Sequence, residues 1–273
     1  MQALLERLEL PRTTYYDQRN RMKRPDKYAD EKDFIEKVFH RSRETYSYRR
    51  IHAMAAKAGF HLCAETVRRL MSVQGLKVQV YSKHTSSYSS YKGKVGRIAP
   101  NIIKQVFSEV KPLTVFHTDI TQIKLVNNQW GYLSCITDEA SGEVVVAEVS
   151  ASPGMQLIRD TLDGLASHIN SESKPILHSD QGWQYQQKVY RQRLKNLNIK
   201  QSMSRKGNCH DNAPIESFFN LMKRECLNRI RIKNIEELTK IVSDYTYWFN
   251  NERISMNKND LTPVEYRNQA IAV

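Results

Sequence analysis

Three acidic residues stand where a folded chain has least reason to place charge. Asp119 interrupts the apolar run VFHTDITQIKL, Asp180 ends PILHSD, and Glu216 lies inside HDNAPIESFFNLMKRE. Thirty-five residues separate Asp180 from Glu216. An ionised carboxylate within a sheet is costly unless a metal or a hydrogen-bond donor compensates it. Three carboxylates brought together also repel and raise at least one pKa. Such a set suits Mg2+ or Mn2+, which prefer oxygen ligands and use few carboxylates plus water and substrate phosphate. Two such ions ~3.5–4 Å apart would activate a water or hydroxyl and stabilise a leaving 3′ oxygen in an in-line displacement. No covalent protein nucleophile is required. The residues therefore predict metal-dependent phosphodiester chemistry on DNA, with Asp119, Asp180 and Glu216 as catalytic residues and metal ligands.

The surroundings of the acids extend this reading. Asp211, Asn212 and Pro214 mark a helix start, Asp211 reading as a cap. Glu216, Asn220 and Lys223 then share one helical face, while Ile215, Phe218, Phe219 and Met222 form the buried side. Lys223 either reaches out to solvent or, as its register with Glu216 favours, meets a DNA phosphate. Arg205 and Lys206, in the loop before this helix, have the same two readings. Asp138 reads as a turn residue. His178 shares the strand face of Asp180 and reads as a hydrogen-bonded histidine at a sheet edge. Trp183 and Tyr185 read as packing under the site rather than as base-stacking groups.

The elements that must position these residues follow from periodicity. From Leu113 the chain reads as strands: LTVFHTDITQIKL, then two more within WGYLSCITDEASGEVVVAEV around the turn at Ala140, Ser141 and Gly142. Helix over 155–168, strand PILHSD, helix over 187–196, strand IKQSMS and a helix from about Asn212 complete the order β-β-β-α-β-α-β-α. An antiparallel hairpin followed by parallel pairing gives a mixed sheet flanked by helices. Residues 235–250 form a further amphipathic helix, with Leu238, Ile241, Val242, Tyr245, Trp248 and Phe249 on one face.

Charge is distributed unevenly. Residues 1–111 hold 23 basic and 11 acidic residues, whereas 112–273 hold 19 and 18. A basic front joined to a charge-balanced module points to a polyanion partner. Within that front, Ile51, Met54, Ala55 and Ala58 recur at helical spacing, Gly59 breaks the helix, and Val67, Leu70 and Met71 resume the period up to Gly75. This is a helix-turn-helix pattern, and Arg68 and Arg69 project from the second helix as DNA contacts. Residues 77–99 are rich in Ser, Tyr, Lys and Gly and read as a basic flexible linker, with Lys92 and Lys94 available to a phosphate backbone. The four cysteines (Cys63, Cys135, Cys209, Cys226) form no CxxC pair, which argues against a zinc site or a disulfide framework. No apolar run approaches the ~20 residues needed to span a bilayer, so the expected location is cytoplasmic and nucleoid-associated.

HTDIT, LHSDQGWQYQ and SMSRKGNCHDNAPIESFFNLMKRE, in that order, resemble the catalytic core of bacterial transposases of the insertion sequence three family, and specifically their OrfB polypeptide. The resemblance identifies Asp119, Asp180 and Glu216 with the family's DD(35)E triad and Lys223 with its basic residue seven positions later. YSYRRIHAMAAKAG and TVRRLMSVQGL are similar to the helix-turn-helix upstream of that core, and YTYWFNNERISMNKNDLTPVEYR to its C-terminal signature. Phe116 stands where the family often has tryptophan, and the zinc module of retroviral integrases is absent. The resemblance implies an RNase H-like α/β fold and Mg2+-dependent cleavage and strand transfer at terminal inverted repeats. It also implies an upstream OrfA partner, joined to OrfB by a ribosomal frameshift. The expected organisation is a basic segment over 1–30, the helix-turn-helix domain over 31–76, the linker over 77–111, the catalytic core over 112–230 and a helical extension over 231–273. A homo-oligomer is expected because two DNA ends must be brought together. The rival readings are a structure-selective nuclease of the same fold and a non-catalytic DNA-binding protein derived from a transposase.

Overall fold

The computed structural model describes residues 5, 7, 9–80, 96–126, 128–170, 172–205 and 209–272. Lys92, Lys94 and Lys206, expected to meet DNA, lie outside the described residues. The chain divides into two compact units, one of Met1–Arg41 with Tyr46–Lys77, the other of Ser42–Thr45 with Val78–Val273.

In the first unit, α1 (Arg12–Met22) has no buried residue. The sequence predicted only a basic segment over 1–30, because a helix without an apolar face leaves no periodic trace. Three further helices, α2 (Ala29–Arg41), α3 (Tyr48–Lys57) and α4 (Ala64–Val73), pack on one another. Ile35 and Phe39 of α2, Ile51 and Ala55 of α3, and Val67, Leu70 and Met71 of α4 are their buried sides. Both α3 and α4 end in the same way. Gly59 and Gly75 adopt φ of 89° and 70°, and the next amides, of Phe60 and Leu76, donate back to Ala55 and Met71, each at 2.9 Å. This closure needs a left-handed residue, and glycine enters that region without steric cost. It produces the turn between α3 and α4 that the spacing predicted.

The second unit is built on a five-stranded sheet in the order β3-β2-β1-β4-β5. β1 (Val115–Lys124), β2 (Trp130–Asp138) and β3 (Val144–Ser150) are antiparallel neighbours, while β4 (Ile176–Ser179) pairs in parallel with β1 and with β5 (Lys200–Met203). The mixed sheet matches the expected order of elements. Successive strand residues face opposite sides. Phe116 and Leu177 look toward α5 (Met155–Ala166) and α6 (Lys188–Asn196), where they join Ile158, Leu162, Tyr190 and Leu194 in one apolar cluster. Tyr185, on the single turn Trp183–Gln186, packs in that cluster as expected. Residues of the opposite parity, His117, Asp119 and Thr121, face α7 (Ala213–Glu225), which packs on β1 and β2.

Two helices close the chain. α8 (Ile235–Asn251) packs on β3, and α9 (Pro263–Ile271) packs on α8. α9 was not expected from periodicity, yet TPVE carries its signal. Thr262 and Glu265 form a reciprocal capping box with Pro263 at the first helical position. α8 is fastened by side chains rather than by apolar contact alone. Asn250 receives the Val144 amide on Oδ1 at 2.9 Å and donates Nδ2 to the Val144 carbonyl at 2.8 Å. Glu225, at the end of α7, accepts Arg253 Nε and Nη2 at 3.0 and 2.7 Å and the Tyr245 hydroxyl at 2.8 Å. Both members of that ion pair are only 4% exposed.

Removing one partner of a buried pair leaves an uncompensated charge. Arg253→Met is therefore expected to lower stability in urea unfolding by about 3–5 kcal/mol. Arg193→Ala, which breaks the solvent-exposed pair with Asp163, should cost less than about 1 kcal/mol. Equal losses would show that the Glu225 cluster contributes nothing special.

Candidate active site

The parallel register of β1 and β4 sets Thr118 beside Ser179. Asp119, the next residue of β1, and Asp180, just beyond the carboxyl end of β4, therefore stand side by side. Each commits one oxygen to the backbone. Asp119 Oδ1 accepts the Ile120 amide at 2.7 Å, and Asp180 Oδ1 accepts the Gly182 amide at 2.8 Å. Gly182 has little room for a side chain: a Cβ there would lie 3.0 Å from Asp180 Oδ1, 3.1 Å from Gln184 Oε1 and 3.2 Å from the Tyr185 ring. Glu216 comes from the first turn of α7, on the face that covers β1.

Electrostatics ties the three together. Burial, then the charge of Asp180 and that of Glu216, push the Asp119 pKa well above the ordinary carboxylate value, against the Ile120 amide and Lys223. Burial raises Asp180, opposed by the Gly182 amide. Burial also raises Glu216, which His210 lowers and Asp180 raises further. Among the described residues no three His, Cys, Asp or Glu side chains are gathered closely enough to hold a metal ion. Like charges repel, and the three acids sense one another while stopping short of a cage. Their donor atoms are all carboxylate oxygens, the set that suits a hard divalent cation.

Lys223 lies on the glutamate's face of α7, as the spacing predicted. Its Nζ donates to Thr121 Oγ1 at 2.5 Å. Burial lowers its pKa, and the charge of Asp119 works against that shift. Asn220, between them, is exposed. Arg205 is bound to Asp211 through Nε at 3.0 Å and Nη2 at 2.9 Å. In the first unit, Arg68 pairs with Glu65 at 2.8 and 2.6 Å, and the Arg69 guanidinium lies 5.6 Å from the Tyr28 ring centre.

α7 starts where the sequence placed it, with Asn212 before it and Pro214 in its first turn, but the cap read for Asp211 is not there. Asp211 caps nothing: it is fully buried and also accepts the Arg205 amide and Asn101 Nδ2. The Arg205 side chain first, with the Arg205 amide, holds its pKa at about 2 against the effect of burial. Asn212 is the residue at the cap position, yet its side chain makes no capping bond. It reaches instead to β1, with Nδ2 donating to the Thr118 carbonyl at 3.1 Å and Oδ1 lying 3.0 Å from His117 Nδ1. His117 Nε2 lies 2.7 Å from Glu139 Oε2. His178, beside His117 in the sheet, bonds Ser202 Oγ at 2.8 Å and Ser204 Oγ at 3.1 Å. The hydrogen-bonded reading of His178 therefore holds, while His117, Glu139 and Asn212 carried no sequence signal for their roles. Asp138 is a turn residue, accepting the Ser141 amide and hydroxyl and the Leu113 amide.

Burial moves the His178 pKa down from 6.5 to about 4. A depressed pKa means that the folded state holds fewer protons than the unfolded chain between those values. The contribution of His178 is thus full above about pH 6.5 and is lost as pH falls toward 4. Wild type should lose about 3 kcal/mol relative to His178→Gln between pH 7 and 4. Urea midpoints of both proteins across that range test this, and a constant difference would rule it out.

Residues 109–209 and 216–271 match two family models, each described as an integrase core domain, and residues 25–84 match an HTH-like domain. The InsK protein of insertion sequence element IS150 from Escherichia coli (strain K12) is 40% identical over 98% of this chain and 94% of its own length. The transposase InsF of insertion sequence IS3fB, also from Escherichia coli (strain K12), is 29% identical over 86% of this chain and 81% of its own. Among solved structures, a chain of the simian T-cell lymphotropic virus intasome in complex with PP2A regulatory subunit B56 gamma superposes with a TM-score of 0.50. It is 14% identical, covering 81% of this chain and 74% of that one. The sheet order and its flanking helices are those of the RNase H-like fold. With the integrase core and the helix-turn-helix in one chain, and relatives aligned along nearly its whole length, the chain belongs to the insertion-sequence transposases of the IS150/IS3 group.

Proposed function

We propose that this DDE-type transposase cleaves DNA at the ends of an insertion element and joins them to target DNA, with Asp119, Asp180 and Glu216 holding two divalent cations. The observation that carries the reading is the adjacency of Asp119 and Asp180 across parallel strands, with Glu216 approaching from α7. Bound Mg2+ or Mn2+ would supply Lewis-acid charge neutralisation on the phosphodiester and lower the pKa of the attacking hydroxyl. The chain's own part is positional. Backbone bonds to one oxygen of each aspartate fix the carboxylates, and the sheet prevents them from moving apart. Lys223 brings a cation to the edge of the acids, where it can meet a phosphate. Arg205 can do so from the loop before α7 while it remains on Asp211, and Lys206 follows it in sequence.

The first unit is the DNA-positioning module in this reading. Arg68 and Arg69 are exposed on α4, the second helix of the helix-turn-helix, and Lys92 and Lys94 follow in the basic segment. Contacts to phosphate fix register without reading sequence. Two ends must be held at once, so the working form is a homo-oligomer on paired DNA ends, assisted by an upstream OrfA-type partner. A nuclease of the same fold would stop at cleavage, and a DNA-binding derivative would do neither step.

The deciding experiment is strand transfer on a labelled oligonucleotide carrying the element's end, with Mg2+ or Mn2+. Asp119→Asn, Asp180→Asn and Glu216→Gln should each lower joined product at least about 10²-fold while DNA affinity stays within about threefold. Cleavage without joining would favour the nuclease, and unchanged joining in any variant would remove that acid from the mechanism. In parallel, Arg68→Ala with Arg69→Ala should weaken DNA binding at all sequences and flatten its salt slope by about 2. An unchanged slope would take α4 off the phosphates.

A further inference from the structure

We propose that Asn212 is a positioning residue that sets the spacing between the strand carrying Asp119 and the helix carrying Glu216. The inference rests on the assignment of those acids as cation ligands. Asn212 is 2% exposed and occupies the residue before α7, where a side chain ordinarily caps the helix. It forgoes that bond. Its amide nitrogen donates to the carbonyl of Thr118, the residue immediately before Asp119. That bond fixes the orientation of the amide, so Oδ1 faces His117 and the His117 Nδ1 must be the donor between them. Both ends of one short side chain therefore grip β1, and Glu216 follows four residues later, one helical turn away.

The other side of the same turn is anchored as firmly. Asp211 accepts from the Arg205 amide, the Arg205 guanidinium and Asn101. The single turn Cys209–Asn212 is thus held from two directions, by Asp211 toward the residues after β5 and by Asn212 toward β1. Of the two anchors only Asn212 touches the strand of Asp119. Loss of its bonds would leave α7 packed through Ile215, Phe218, Phe219 and Met222, all buried, while freeing the register of its first turn. The fold would persist and the glutamate would lose its fixed distance from the aspartates.

The test compares wild type, Asn212→Leu, Asn212→Asp and Glu216→Gln. Two quantities are read for each: the Mg2+ midpoint of strand transfer, and the Mg2+ midpoint of the cation-induced rise in Tm without DNA. Asn212→Leu has similar volume and no bonding group. Its midpoints are expected to rise at least tenfold in both assays, with DNA affinity unchanged. Asn212→Asp keeps the acceptor for His117 but loses the donor to Thr118, and should fall between. Midpoints within twofold of wild type in a folded Asn212→Leu protein would overturn the proposal. Should Asn212→Leu not fold, Asn212→Asp is judged by the same criterion, and failure of both to fold would also overturn it, since Asn212 would then be holding the fold. Glu216→Gln separates the two layers. If that variant joins DNA as wild type does, the assignment of the acids fails, whatever Asn212 does.

Discussion

Two half-buried carboxylates held side by side set the terms for everything around them. Partial loss of solvent makes each resist ionisation, and Asp119 resists further because Asp180 and Glu216 stand near it. Left to side-chain freedom, such groups would turn apart. Here they cannot, because their positions are fixed by the backbone register of β1 and β4 and by amide bonds to Oδ1 of each. The sheet is the restraint that keeps repelling charges together, and its apolar face against α5 and α6 supplies the stability that makes the restraint tolerable.

The opposite face of the sheet is unusual in being polar at its centre. His117 and His178 sit beside one another and are fully buried, together with Ser202 and Asn212. Buried polar groups are costly unless each finds a partner, and a fully bonded network is rigid and specific in its geometry. This one is bonded throughout its named members: His117 to Asn212 and Glu139, His178 to Ser202 and Ser204. It lies directly before the two aspartates on their strands. A core of aliphatic side chains would be equally stable and would specify less, because apolar packing tolerates small shifts that directional bonds do not.

What the sequence disclosed and what it withheld divide along a physical line. Asp119, Asp180 and Glu216 stood out because charge within apolar periods has few explanations, and the strands and α8 followed from period alone. Gly59 and Gly75 announced the helix-turn-helix because positive φ leaves few other residues suitable. α1 was missed because a helix with no buried side has no period to detect. Asn212 and Pro214 marked the start of α7 correctly. The cap role read for Asp211 was wrong, and the tertiary bonds of both Asp211 and Asn212 were not foreseen, for a different reason. Local rules assign acidic and amide residues before a helix to capping, whereas here tertiary partners outbid the nearby amides, Arg205 and Asn101 for the one, Thr118 and His117 for the other. Likewise the spacing put Lys223 on the glutamate's face but could not name Thr121, which lies 102 residues earlier, as its partner.

The clamp at the far end of the sheet bears on how this chain is made. Val144, the first residue of β3, is held by Asn250, 106 residues later, and Glu225 waits for Arg253, 28 residues later. Synthesis delivers residues in order, and domains settle as units once their chain is available. Every residue of the acidic triad has therefore left the ribosome before the sheet edge is pinned and the Glu225 charge is matched. A nascent chain stopped short of Arg253 would contain Asp119, Asp180 and Glu216 and still bury an unmatched carboxylate. The sheet is thus complete in sequence well before the side chains that lock its edge and neutralise Glu225.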